Sequence, residues 1–165
     1  VPYDERAFNA KTVDVVNAEL ASIAKKLEKH GLKTGYHNHT PEFANFKGTT
    51  FWDYIGDNTP ENVVLQLDVG WTAVAGKDPA AYIRKYPGRS NTLHFKAGLP
   101  AGVTDKVSLI GQDIVDWKSV ITAAREVGGT EWFVVEQEVY PDNMKPLEAV
   151  NVSMKGLQKI ISEMK

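Results

Sequence analysis

From Asp14 to His30 the apolar residues Val16, Leu20, Ile23, Ala24 and Leu27 recur at spacings of three and four, with Lys25, Lys26, Glu28 and Lys29 on the other faces. This period predicts an amphipathic helix, ended by Gly31. Leu32 to Asn38 reads as a strand running into the polar turn His39-Thr40-Pro41-Glu42, where Pro41 has no N–H to continue a ladder. Thr49 to Ile55 predicts a short helix capped by Thr49 or Thr50. Asn58-Thr59-Pro60-Glu61 is a turn into a strand from Val63 to Leu67. Asp78-Pro79, a cap followed by proline at the first helical position, opens a helix through Lys85, and Pro87-Gly88 breaks it before a strand from Thr92 to Lys96. Ala97 to Asp113 is a long polar, glycine-containing loop, a length that points to function or a lid. Asp116 precedes a helical pattern of Trp117, Val120, Ile121, Ala124 and Val127, stopped by Gly128-Gly129. A strand from Trp132 to Glu136 and an amphipathic helix from Pro146 to Met164 close the chain.

Four short apolar strands, each followed by a helix, predict an α/β protein with a parallel sheet. The 165 residues are 42% hydrophobic, enough for one sizeable core, so residues 1–165 read as a single domain. No apolar run is long enough to cross a bilayer. The start, Val1-Pro2-Tyr3-Asp4-Glu5-Arg6, has no basic region ahead of an apolar one and reads as interior chain, so the N-terminus is expected to be a cut or a domain edge.

Charge and cysteine content narrow the chemistry. Nineteen basic against 21 acidic residues give a formal charge of −2 without a basic stripe, which disfavours nucleic acid as a partner. With no Cys, any metal site must use nitrogen and oxygen ligands. The same absence fits a cytoplasmic and a periplasmic location equally.

In parallel α/β architectures ligands bind at the carboxyl ends of strands. Those positions here hold His37, His39 and Glu42, then Asp68, then His94 with Lys96, then Glu136 with Glu138. Each has an ordinary alternative: Asp68 as cap of the following turn or helix, His94 as a core histidine, Glu136 as partner of Lys96, His37 and His39 as hydrogen-bond donors to their turn. Together, four successive strand ends carrying imidazole and carboxylate point to a shared divalent ion, Mn²⁺, Mg²⁺, Co²⁺ or Zn²⁺, with positions open to substrate oxygens. An ion chelated by a vicinal hydroxy-carbonyl acidifies the C–H between the two oxygens and stabilises an enediolate. A nearby carboxylate or imidazole then moves the proton.

Five segments, His37-Asn38-His39 with Glu42-Phe43, Leu67-Asp68-Val69-Gly70-Trp71, Leu93-His94-Phe95-Lys96, Gly111 to Trp117, and Val135-Glu136-Gln137-Glu138, give the chain its resemblance to the sugar phosphate isomerase/epimerase family. That resemblance implies the xylose-isomerase-like (β/α)8 TIM barrel and a branch that includes inosose dehydratase and 3-keto-glycoside lyases. It also implies one metal held by Asp68, His94, Glu136 and a fourth ligand on the first strand. In the family that ligand is usually Glu; here His37 is expected, with Glu42 or His39 as rival. Glu136, His39, Glu42, Lys96 and Glu138 are the implied catalytic residues, and Asn38 and Trp71 the implied substrate contacts. Where the family commonly has Asp after the Lys of the third segment, this chain has Ala97.

A complete barrel needs eight βα units in roughly 250 residues. The four present read as a C-terminal half, either a fragment whose N-terminal half is absent or a half-barrel closed by another copy of the chain. The function implied is a metal-dependent isomerase or epimerase of a sugar or sugar derivative, acting through a metal-bound enediolate. The alternatives are a lyase or dehydratase acting on a keto-sugar, keto-glycoside or keto-inositol, and a sugar-binding remnant without turnover.

Overall fold

A computed structural model describes residues 4–164. The reading of Val1, Pro2 and Tyr3 as interior chain lies outside those residues. The elements run α1 (Val13–Glu28), β1 (Thr34–His37), β2 (Asn45–Phe46), β3 (Thr49–Thr50), α2 (Phe51–Asp57), β4 (Val63–Gln66), α3 (Val69–Val74), α4 (Pro79–Lys85), β5 (Thr92–Lys96), α5 (Trp117–Ala123), β6 (Trp132–Glu136) and α6 (Pro146–Ser162). Short 3-10 turns precede α1 and α6, and another follows β1.

The main strands are parallel. β1 pairs with β4 from Thr34–Val63 to His37–Gln66, and β5 pairs with β6 from Thr92–Trp132 to Lys96–Glu136. A parallel bridge between Asp68 and His94, with the His94 N–H donating to the Leu67 carbonyl at 3.1 Å, joins the two pairs in the order β1-β4-β5-β6. Strand alternation divides the side chains between two faces. Tyr36, Val63, Leu65, Leu93 and Phe95 point toward the helices and are buried with Leu20, Trp52, Ile55, Ile83, Val120, Ile121 and Leu157. The other face carries His37, Gln66, His94, Lys96 and Glu136. The residue pairs Leu65–Tyr36 and Phe95–Val135 thus anchor the sheet, and each fully buried large apolar side chain contributes roughly 1.5–3 kcal/mol.

α4, β5 and β6 fall where their caps and apolar runs place them; the Asp78 carboxylate accepts the N–H groups of Ala80 and Ala81. Two elements depart from expectation. Thr49 belongs to β3, which forms a small hairpin with β2 through Lys47 and Gly48, both at positive φ. α2 therefore starts at Phe51, with the Thr50 hydroxyl accepting the Asp53 N–H at 3.0 Å. α5 ends at Ala123 and a π turn carries the chain to Gly128, with Gly129 left-handed at φ 64°.

The segment from Ala97 to Asp113 forms no helix or strand, but it is stapled down. Asp113 accepts the Gly98 N–H and the Trp117 indole N–H, each at 2.8 Å. The Gln137 amide donates to the Ser108 carbonyl at 2.7 Å and accepts the Ser153 hydroxyl at 2.7 Å.

Candidate metal centre

The uncovered face of the sheet gathers four side chains able to ligate a metal at the carboxyl ends of its strands. His37 is the last residue of β1, Asp68 follows β4 by two residues, His94 lies in β5 and Glu136 ends β6. One ligand atom from each lies within 4.8 Å of all the others. His37 Nδ1, Asp68 Oδ2, His94 Nδ1 and Glu136 Oε2 are all shielded from water and lack a hydrogen-bond partner. His94 Nδ1 and Glu136 Oε2 crowd against each other, and the His37 and His94 ring centroids are 4.4 Å apart. Buried polar atoms without partners are costly. Four of them converging on one point fit a divalent ion, and their two imidazoles and two carboxylates suit one chemically.

Asp68 is a helix cap that still has one carboxylate oxygen to spare. Its Oδ1 caps α3 by accepting the Trp71 N–H at 2.7 Å, which leaves Oδ2 for the cluster. Its backbone is fixed from behind: the Asp68 N–H donates to Asn38 Oδ1 at 2.8 Å, and the Thr72 hydroxyl donates to the Asp68 carbonyl at 2.6 Å. Gly70 permits the approach, since a Cβ there would meet the Lys96 carbonyl oxygen at 2.6 Å.

Burial pushes the Asp68 carboxyl up to about 7, against the cap bond and Lys96, which lower it. Burial also pulls the His37 imidazole down to about 4, helped by the positive charge that His94 and His39 can carry. The His94 imidazole pressed against it holds the Glu136 carboxyl low, at about 2, in spite of desolvation. His37 is thereby a neutral imidazole at physiological pH, the form that ligates.

Several expectations change. Glu42, the rival ligand and proposed proton-transfer group, lies outside the cluster: it is fully buried, its Oε1 accepting the Tyr36 hydroxyl at 2.7 Å and its Oε2 the His39 N–H at 2.9 Å. Asn38, expected to contact substrate, is fully buried too and brackets Asp68, because alternation turns it away from His37 and His39. Glu136 pairs with His94; Lys96 pairs instead with Glu138. The Lys96 ammonium also lies over the Trp71 ring, 3.8 Å from its centroid.

His39 and Trp71 stand beside the cluster. The His39 ring meets the His37 ring edge-on at 5.1 Å, and with Thr40, Pro41 and Trp71 it lines a cavity of about 300 Å³. A second cavity of about 240 Å³, lined by Lys33, Gly35, Val64, Gln66 and Thr92 among others, lies toward the start of the strands and has no carboxylate or imidazole in its lining. Gln137 is a structural residue that the sequence pattern did not single out. Its position between Glu136 and Glu138 was the available signal, since alternation sends it to the opposite side from both.

A parallel α/β wall with clustered imidazoles and carboxylates at its strand ends is the class of protein these features define. The chain belongs to the xylose isomerase-like TIM barrel family, which matches residues 2–160. Inosose dehydratase of Lacticaseibacillus casei is 26% identical, over 78% of this chain and 48% of the relative. The chain thus spans about half the length of the curated relatives it matches. Among solved structures, a sugar phosphate isomerase/epimerase from Parabacteroides distasonis ATCC 8503 superposes with a TM-score of 0.74 at 25% identity, covering 96% of this chain and 55% of that one. The IOLI protein with a binding zinc atom shares the fold, with a TM-score of 0.66 at 18% identity over 94% of this chain and 58% of that one.

Proposed function

We propose that the chain carries the metal-binding half of a divalent-metal-dependent isomerase or epimerase acting on a sugar or sugar derivative. The observation that supports it is the convergence of His37, Asp68, His94 and Glu136, whose orphaned atoms lie where one ion would satisfy them all. A bound divalent ion would polarise a vicinal hydroxy-carbonyl and acidify the C–H between its oxygens. Asp68 and Glu136 supply the two negative charges that neutralise the ion, and His37 and His94 complete the set.

The remaining groups handle substrate and proton. His39, beside His37, and Glu138, beside Lys96, are the proton-transfer groups. The Lys96 ammonium, buried between Glu138 and the Trp71 ring, supports the charge that builds on the substrate oxygen. Trp71 walls the cavity next to the site. In this reading residues 1–165 are one domain, the C-terminal half of the barrel, and the bare face of its sheet is closed by a further half-barrel, from the same chain or from a second copy.

A second reading, a dehydratase or lyase on a keto-inositol or keto-sugar, is favoured by the inosose dehydratases among the relatives. Both begin by removing the proton next to a carbonyl; they diverge in what leaves. Incubation with Mn²⁺ and ketoses in D₂O separates them by mass spectrometry. Deuterium at the carbon next to the carbonyl with no loss of water or aglycone supports the isomerase. Elimination products assign the dehydratase reading, and no exchange with any keto-sugar refutes both.

A further inference from the structure

We infer that His37 makes this centre selective for a borderline ion such as Zn²⁺ or Co²⁺ over Mg²⁺ and Ca²⁺. The inference rests on the metal-site reading given above and goes beyond it to the identity of the ion.

The donor set is half nitrogen. Imidazole suits zinc, cobalt, nickel and iron, whereas magnesium and calcium call for sets built of oxygen. Magnesium also holds an octahedral shell with several waters, and the four donor atoms here are closed off from water and within 4.8 Å of one another. Charge points the same way. Asp68 and Glu136 bring two negative charges, which one dication balances, and the neighbouring Lys96 and Glu138 cancel each other. Two further carboxylates near the strand ends are already engaged: Glu42 accepts from the Tyr36 hydroxyl and the His39 N–H, and Glu138 pairs with Lys96.

His37 is the residue that tips the balance. His94 is fixed by its contact with Glu136 and by the backbone bridge to the Asp68 segment. His37 sits at the end of an edge strand with one neighbour, β4, so its side chain is the donor that can be exchanged with least disturbance. Replacing its nitrogen by a carboxylate leaves one imidazole among three carboxylates, a set that accepts magnesium and manganese.

The test is competitive metal binding to the 165-residue chain and to His37→Glu, with the metals alone as probes and an indicator dye as readout. The parent is expected to prefer Zn²⁺ or Co²⁺ over Mg²⁺ by on the order of 100-fold or more, as half-nitrogen donor sets do. His37→Glu narrows that ratio by at least roughly tenfold, while far-UV circular dichroism stays that of the parent. Proton NMR of the Co²⁺-loaded parent gives a second, fold-independent readout: two hyperfine-shifted exchangeable imidazole N–H signals, one for each ligating histidine. Comparable Mg²⁺ and Zn²⁺ affinity, an unchanged ratio in His37→Glu, or a single shifted imidazole signal in the parent overturns the inference while leaving a metal site in place. If no divalent ion binds, the site reading falls together with it.

Discussion

Asp68 does two things with two oxygens, and substitutions can separate them. Asp68→Asn keeps an oxygen able to accept the Trp71 N–H, so it should preserve the cap on α3 while removing an ionic ligand. Asp68→Ala loses both, and its metal-free form should be about 1 kcal/mol less stable than Asp68→Asn, the usual worth of a cap. Denaturant unfolding of the two variants checks this; equal stabilities would mean the cap is unimportant. Proton linkage offers a further check. Asp68 titrates near 7 in the metal-free protein and must lose its proton to ligate, whereas His37, near 4, is already neutral through that range. Apparent metal affinity should therefore fall as pH drops below 7, with a slope approaching about tenfold for each pH unit. A flat metal titration from pH 8 to pH 5 excludes Asp68 as a ligand. Stability without metal shows opposing trends. The raised Asp68 value stabilises the fold below the ordinary 3.8 and its contribution is lost as pH rises through about 7. The depressed His37 value stabilises above the ordinary 6.5 and is lost as pH falls through about 4. The two offset across the shared window, so metal binding is the cleaner reporter.

Among the elements, α3 decides where Asp68 points, and it lies against the end of β5 because Gly70 has no side chain. A Cβ at Gly70 would meet backbone oxygens of Lys96 at 2.6 Å and Ala97 at 3.0 Å, neither of which can swing aside. Gly70→Ala should cost about 1–3 kcal/mol, in the range of overpacked sites, and weaken metal binding by displacing Asp68 from His94. A variant with the parent's unfolding midpoint and metal affinity would show that α3 has slack. How much of this was readable beforehand follows from the range of the interactions. α4, β5 and β6 were legible to the residue, since an Asp-Pro cap and short apolar runs act locally. So were Asp68, His94 and Glu136 as rim residues, because strand ends in a parallel sheet share one side. The β2–β3 hairpin was not, as two-residue strands have no period to detect. Nor were the buried roles of Glu42 and Asn38: their partners, Tyr36 six residues away and Asp68 thirty residues away, are set by packing.

At the scale of the whole molecule, the wall has a covered face and a bare one, and the bare one is partly apolar. Among the described residues β1 and β6 each pair on one side only, so both present unpaired backbone groups. On β6, Trp132 is 68% exposed and shares the bare face with His94 and Glu136, by the same register that pairs it with Thr92. Covering such a surface returns about 25 cal/mol for each Å² of apolar area removed from water. The chain by itself should therefore self-associate in a concentration-dependent way, visible by sedimentation velocity. Trp132→Lys should shift that association toward monomer, because a charge would have to be buried at the contact. It should leave metal affinity unchanged: Trp132 begins β6 and Glu136 ends it, a separation of about 13 Å along an extended strand. A parent that stays monomeric throughout would show that the bare face is tolerated in water. A Trp132→Lys variant that loses metal along with association would instead tie the site to closure of the wall, since Trp132 and Glu136 stand at opposite ends of β6.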